Sequence, residues 1–285
     1  MQGDRRQSNV AAMKSALMIH DIQTGEDRQI FASDDHFEAP NWSPDGRYLI
    51  INQGGLLYRM PLSDPKLEPI DTGPHNKLNN DHGVSPDGTL LAFSDKIETG
   101  ESCIYTMPIN GKPRRITQNT PSYWHGWSPD GGTLAYTARR HGAFDIFTIP
   151  TEGGSETRLT RDMGHCDGPD YTPDGKWIWF NSDKSGSAQL WRIRPDGSGL
   201  EQMLNDDRVN WFPHPSPNGE MLVYLSYPNG TLGHPGDLDV ELRLMSPEGG
   251  APHRIVELFG GQGTINVPSW SPDSQHFAYV RYARN

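Results

Sequence analysis

The chain has 285 residues, 31 of them glycine and 24 proline, too many turn formers for a helical bundle and a length that suits one large all-β domain. Its formal charge is −11, and its basic pairs Arg5-Arg6, Arg114-Arg115 and Arg139-Arg140 are scattered rather than gathered on one face, which argues against a nucleic-acid binder. No apolar run approaches the ~20 residues of a membrane-spanning helix.

Residues 1–14 are polar and lack a signal-peptide core, so they read as a disordered tail ahead of a single domain over 15–285. As written, the chain is expected to be cytoplasmic; a periplasmic address would require a signal already removed. Two short strands follow, at Ala16–Ile22 and Arg28–Phe31. Beyond them a four-residue motif recurs. Ser-Pro-Asp-Gly begins at Ser43, Ser85 and Ser128, and close variants begin at Thr172, Ser216 and Ser271. The spacings of 42, 43, 44 and 44 residues match four strands per propeller blade, and the last, 55, exceeds the period by 11.

Each repeat reads alike. An aromatic (Trp42, Trp127, Tyr171 or Trp270) precedes the turn, in which Pro presets φ, Asp caps and Gly takes the strained dihedral. Alternating second strands follow at Tyr48–Asn52, Leu90–Ser94, Leu134–Thr137 and Trp177–Asn181. Third strands are expected at Ile104–Met107, Ile146–Ile149 and Leu190–Ile193, and fourth strands at Arg114–Thr117 and Thr157–Thr160. The last repeat ends at Tyr282 after two strands. The two N-terminal strands complete it, giving an all-β, six-bladed propeller of four-stranded antiparallel blades whose ring is closed by pairing the chain ends.

The run from Tyr171 to Gly197, with its Tyr-Thr-Pro-Asp-Gly turn, Phe-Asn-Ser-Asp-Lys-Ser-Gly loop and closing Pro-Asp-Gly turn, resembles the TolB-type propeller repeat. The resemblance extends from Ala16 to Tyr282 and implies the fold more than a function. It is shared by TolB, by propeller domains of prolyl-type peptidases and by oligogalacturonate-type lyases. TolB has an α/β domain and a secretion signal before its propeller, and neither is read here. The peptidases need a hydrolase domain, and no Gly-x-Ser-x-Gly is present. The lyases keep a histidine-bound metal at the central channel.

A site would sit at the channel mouth formed by the loops leading into the inner strands. Four residues before each aromatic anchor stand Glu38, Asn80, Tyr123, Asp167, Trp211 and Asn266, all able to hydrogen-bond. His36, His82, His125, His165 and His214 fall close before the anchors. His82, His125, His165 and His214 are therefore candidate ligands for one divalent metal, with Glu38 or Asp167 as acid–base groups; packed strand-end histidines are the alternative. The long fifth-blade loop, Ser226–Val240, should reach the same mouth with His234, Asp237 and Asp239. The glycine-rich Phe259–Thr264 reads as an inter-blade turn or an anion nest. Tyr123, Trp124 and Trp211 could stack on a sugar or peptide, whereas Trp42, Trp127 and Trp270 pack between blades. Cys166 neighbours His165; Cys103 is expected to be inert. The first functional reading is a propeller binding a small polar molecule or peptide segment at this mouth. The other is a metal-dependent carbohydrate lyase.

Overall fold

The computed structural model describes residues 15–140 and 142–284; the tail read at 1–14 lies outside them. Six antiparallel sheets surround a central channel, and the described residues contain no α-helix, long and apolar or otherwise. Blades one to five each have four strands in sequence order, the inner ones being Glu38–Trp42, Leu78–Val84, Ser122–Trp127, Cys166–Tyr171 and Val209–Pro215. In blade six, Ser15–Asp21 pairs with His276–Tyr282 on one side and Asp27–Ser33 on the other. Its inner segment is irregular and joins the sheet through the Trp270–Phe277 bridge. The N-terminal strands therefore supply the third and fourth strands of the last blade, and no inner edge is left open.

The turn motif sets this geometry. The Ser43 hydroxyl donates to Asp45 Oδ1 (2.7 Å) and accepts the N–H of Tyr48 (3.1 Å), so the inner strand and its neighbour are tied at their first pair. Apolar clusters fill the gaps between blades. Leu49, Ile51 and Met60 of blade one meet Leu17, Ala278 and Val280 of blade six. Trp127 and Trp270 also stitch blades with polar bonds, their indole N–H groups donating to Gly83 O (3.2 Å) and His214 O (2.9 Å) of the preceding blade.

Two departures from the sequence pattern matter. Four outer strands shrink to two residues, such as Arg114–Arg115 and Thr157–Arg158. There a threonine hydroxyl takes the place of the next backbone acceptor: Ile104 N–H donates to Thr117 Oγ1 and Ile146 N–H to Thr160 Oγ1, both at 2.9 Å. The second departure is a β-bulge in the inner strand of each of blades one to five. In blades one, four and five it is accompanied by positive φ at Ala39 (56°), Gly168 (62°) and Phe212 (55°). A bulge breaks the two-residue alternation and re-aims the side chains beyond it.

Thr160 is 1% exposed and also donates to Asp145 Oδ1 (2.8 Å). Thr160→Val keeps the shape but strands a buried N–H and a carboxylate oxygen. It should cost about 2 kcal/mol in urea unfolding, and Thr160→Ser should recover most of that loss.

Candidate functional site

The inner-strand loops converge on a cavity of about 310 Å³ at one mouth of the channel. Its floor is an electrostatic chain. Asp167 Oδ1 faces His125 Nε2 at 3.1 Å, and Oδ2 faces His234 Nε2 at 3.6 Å. Oδ1 also accepts the N–H of Gly168 (2.9 Å). The Gln262 amide oxygen meets His234 Nδ1. His234 thus has the Asp167 carboxylate near one ring nitrogen and the Gln262 amide at the other. Asp81, bound by the Asn79 amide, lies buried near His125.

Burial and pairing compete at each group, and the outcome differs. For Asp167, burial opposes ionisation, but the hydrogen bonds and charges of His125 and His234 outweigh it and hold the carboxyl well below its usual range. For His125 burial opposes the cation, and the charge of Asp81 together with Asp167 reverses this and raises it. His234 is likewise raised, by Asp167 and Gln262 against burial. For Asp81 burial wins: opposed by His125 and reinforced by Asp167, it pushes the carboxyl up to about 6. Such opposed titrations in one cleft mark a functional-site candidate.

The two irregular features of the sequence meet here. The long loop between Leu222–Tyr227 and Leu238–Met245 carries His234 over the cavity. It is pinned by Tyr227 Oη to Pro235 O (3.0 Å) and by Gln262 N–H to Pro235 O (3.1 Å). The anion-nest alternative for the glycine-rich turn is corrected: its N–H groups are spent internally. Gly261 N–H goes to Thr264 Oγ1 (3.0 Å), Gln262 N–H to Pro235 O, and Gly263 N–H to Asn266 Oδ1 (2.6 Å). The turn instead delivers the Gln262 side chain to His234.

Of the residues singled out in the sequence, Asn80, Tyr123, His125, His165, Asp167, His234 and Asn266 line this cavity. The others do not. Glu38 packs beside Gly263 at the rim and faces His36 at 3.5 Å. Trp124 is fully buried and faces the opposite channel opening. Trp211 is 3% exposed and supports His234 edge-on, its ring 4.5 Å away, so it positions a residue rather than offering a stacking face. The four-histidine metal set does not assemble. His214 is buried between Asp170 Oδ2 (3.0 Å) and Ile265 O (2.7 Å). His82 is fully buried against Ile50 O (3.3 Å), and burial lowers it to about 4. Among the described residues, no three His, Cys, Asp or Glu side chains form a metal-holding group. Cys166 is buried, which pushes its thiol up to about 12 and leaves it unreactive.

Asp81, Asn79, Thr137, Phe144, Phe212 and Gln262 were not picked out from the sequence. For Asp81 a signal existed: it sits in Asn79-Asn80-Asp81-His82, beside an anchor position. The inner-strand bulge hid it. A larger groove of about 870 Å³ between the outer strands of blades five and six is lined by matched pairs such as Arg208–Glu241 (3.3 Å) and lies away from this chemistry.

A model of the TolB beta propeller domain matches residues 119–239. The chain is 52% identical over 273 residues to an uncharacterized protein of Agrobacterium fabrum, covering 95% of this chain and 93% of that one. It superposes with a TM-score of 0.94 on the solved structure of a TolB-like protein from Agrobacterium tumefaciens, at 51% identity over 96% of this chain and 99% of the other. The Tol-Pal system protein TolB of Francisella tularensis is 27% identical over 250 residues, 84% of this chain, and the chain spans 55% of its length. An oligogalacturonate lyase in complex with manganese aligns over 85% of this chain and 72% of its own with a TM-score of 0.57, but at 15% identity the likeness is one of fold.

Asp81 tests the electrostatics. Its folded pKa of about 6 exceeds the unfolded value, so its cost is absent below about pH 4, grows as pH rises through 6, and is full above. Asp81→Asn should therefore stabilise the protein by about 2–3 kcal/mol at pH 8 and by little at pH 4, at 1.4 kcal/mol per pKa unit. Urea unfolding at the two pH values measures it.

Proposed function

The chain belongs to the TolB-type β-propeller family, and on that footing we propose that it is a binding propeller whose loop mouth takes a small polar ligand or a peptide segment. The observation that carries this reading is the buried charged floor of the cavity. Asp81 has a carboxylate that burial disfavours, and Thr137 Oγ1 lines the same cavity without a partner. These are groups that cost folding energy unless a ligand satisfies them. A ligand with hydroxyl, amide or ammonium donors would pair with Asp81, with its flatter part against Phe144 and Tyr123. The tip of the long loop adds Leu232, which is 90% exposed and suits contact with the remainder of a peptide. A metal-dependent lyase gains no support from where the four histidines lie, because His82 and His214 are engaged in packing between strands.

Thermal-shift and calorimetric titrations with short peptides and with neutral and acidic oligosaccharides test this reading. At least one compound should raise Tm for the wild type and leave Asp81→Asn and His234→Ala unmoved, with no effect of a chelator. Failure of the whole panel, or equal binding by both variants, would contradict it. About one equivalent of Mn, Zn, Fe or Ca on protein purified without chelator would favour the lyase instead.

A further inference from the structure

The opposite end of the channel is built on the turn motif. Pro44, Pro86, Pro173, Pro217 and Pro272, each the second residue of its turn, line an apolar cavity of about 380 Å³. Trp42, Trp124, Trp127 and Trp270 share the lining. Trp124 is fully buried within this lining.

Around this apolar opening the same turns place a rim of carboxylates. They are Asp45, Asp87, Asp130, Asp174 and Asp273, with Asn218 in the remaining turn. Each is held ionised, first by the hydroxyl two residues before it and then by backbone N–H groups. Cations reach two of them: Arg47 lies 3.9 Å from Asp45 and Lys176 2.9 Å from Asp174; the His276 ring lies 3.9 Å from Asp273. Among the described residues, Asp87 and Asp130, on adjacent blades, are bonded within their own turns, by Ser85 and Thr89 and by Ser128 and Gly132. The unneutralised part of the rim therefore flanks Trp124 and Trp127.

We propose that this turn mouth is a second binding surface, for a partner segment that inserts an apolar side chain among the turn prolines and lays lysine or arginine against Asp87 and Asp130. Charge complementarity selects this occupant, and the net charge of −11 steers the same kind of partner. The surface lies at the other end of the channel from the cavity of the preceding proposal and does not depend on it.

The rim can be discharged without breaking the turns. Asn218 already occupies the acidic position of the fifth turn, where it accepts from the Ser216 hydroxyl (2.7 Å) and the Glu220 N–H (3.1 Å) as the aspartates do in theirs. The test is a titration of indole N–H signals by NMR, with a synthetic Lys-Lys-Leu-Phe-Pro-Lys-Lys peptide and its Glu-for-Lys counterpart. The basic peptide should shift the Trp124 and Trp127 signals, and the acidic one should not. Asp87→Asn with Asp130→Asn should weaken the basic peptide about fivefold, as expected for two partly screened charges. Asp81→Asn, at the other mouth, should leave the titration unchanged. No shift, equal shifts with both peptides, or an affinity unmoved by the double variant would overturn the proposal.

Discussion

One hydrogen-bonded unit, repeated six times, organises the molecule. A serine or threonine hydroxyl donates to the carboxylate or amide two residues on and accepts the N–H five residues on, at Ser43, Ser85, Ser128, Thr172, Ser216 and Ser271. This fixes where each inner strand begins to pair, and so turns all six inner-strand loops toward one mouth and all six turns toward the other. The chemical difference between the two mouths follows: proline, tryptophan and carboxylate at one end, and variable polar loops at the other.

At the loop mouth, the irregular parts of the chain supply the distinctive charges. Asp167 lies beside a left-handed Gly168, where a Cβ would come within 2.9 Å of Phe212. His234 comes from the lengthened loop and Gln262 from the glycine-rich turn, and each holds the other in place. Trp211 and Phe212 then close on the His234 ring at 4.5 and 5.1 Å. Backbone strain at Phe212 and the buried Asp81 carboxylate both oppose folding. Their joint presence in one small cavity is the physical argument that the cavity is a site rather than a seam between blades.

The fold was legible because its signal is local and repeated. Turn chemistry, a period near 43 residues and two spare N-terminal strands suffice to count blades and close the ring. Asn80, Tyr123 and Asp167 on the inner strands, and His234 and Asn266 on loops, were placed at the mouth by the same topology. Where the reading failed, it placed residues by a fixed distance from the turn anchor, whereas the inner strands of blades one to five are bulged, by one residue in four of them and by two in blade two. Trp124 faces the opposite mouth, and His82 and His214 pack against Ile50 O and Ile265 O instead of lining the cavity. Gln262 was out of reach because its role arises from a contact with a loop 28 residues away.

The charged chain at the loop mouth is the feature on which the functional account rests, and NMR titration of the histidine ring carbons from pH 5 to 9 tests it directly. The account predicts that His125 and His234 titrate above the ordinary imidazole range, that both midpoints fall when Asp167 is changed to Asn, and that His82 stays neutral throughout. Ordinary midpoints for His125 and His234, or midpoints indifferent to Asp167→Asn, would contradict it.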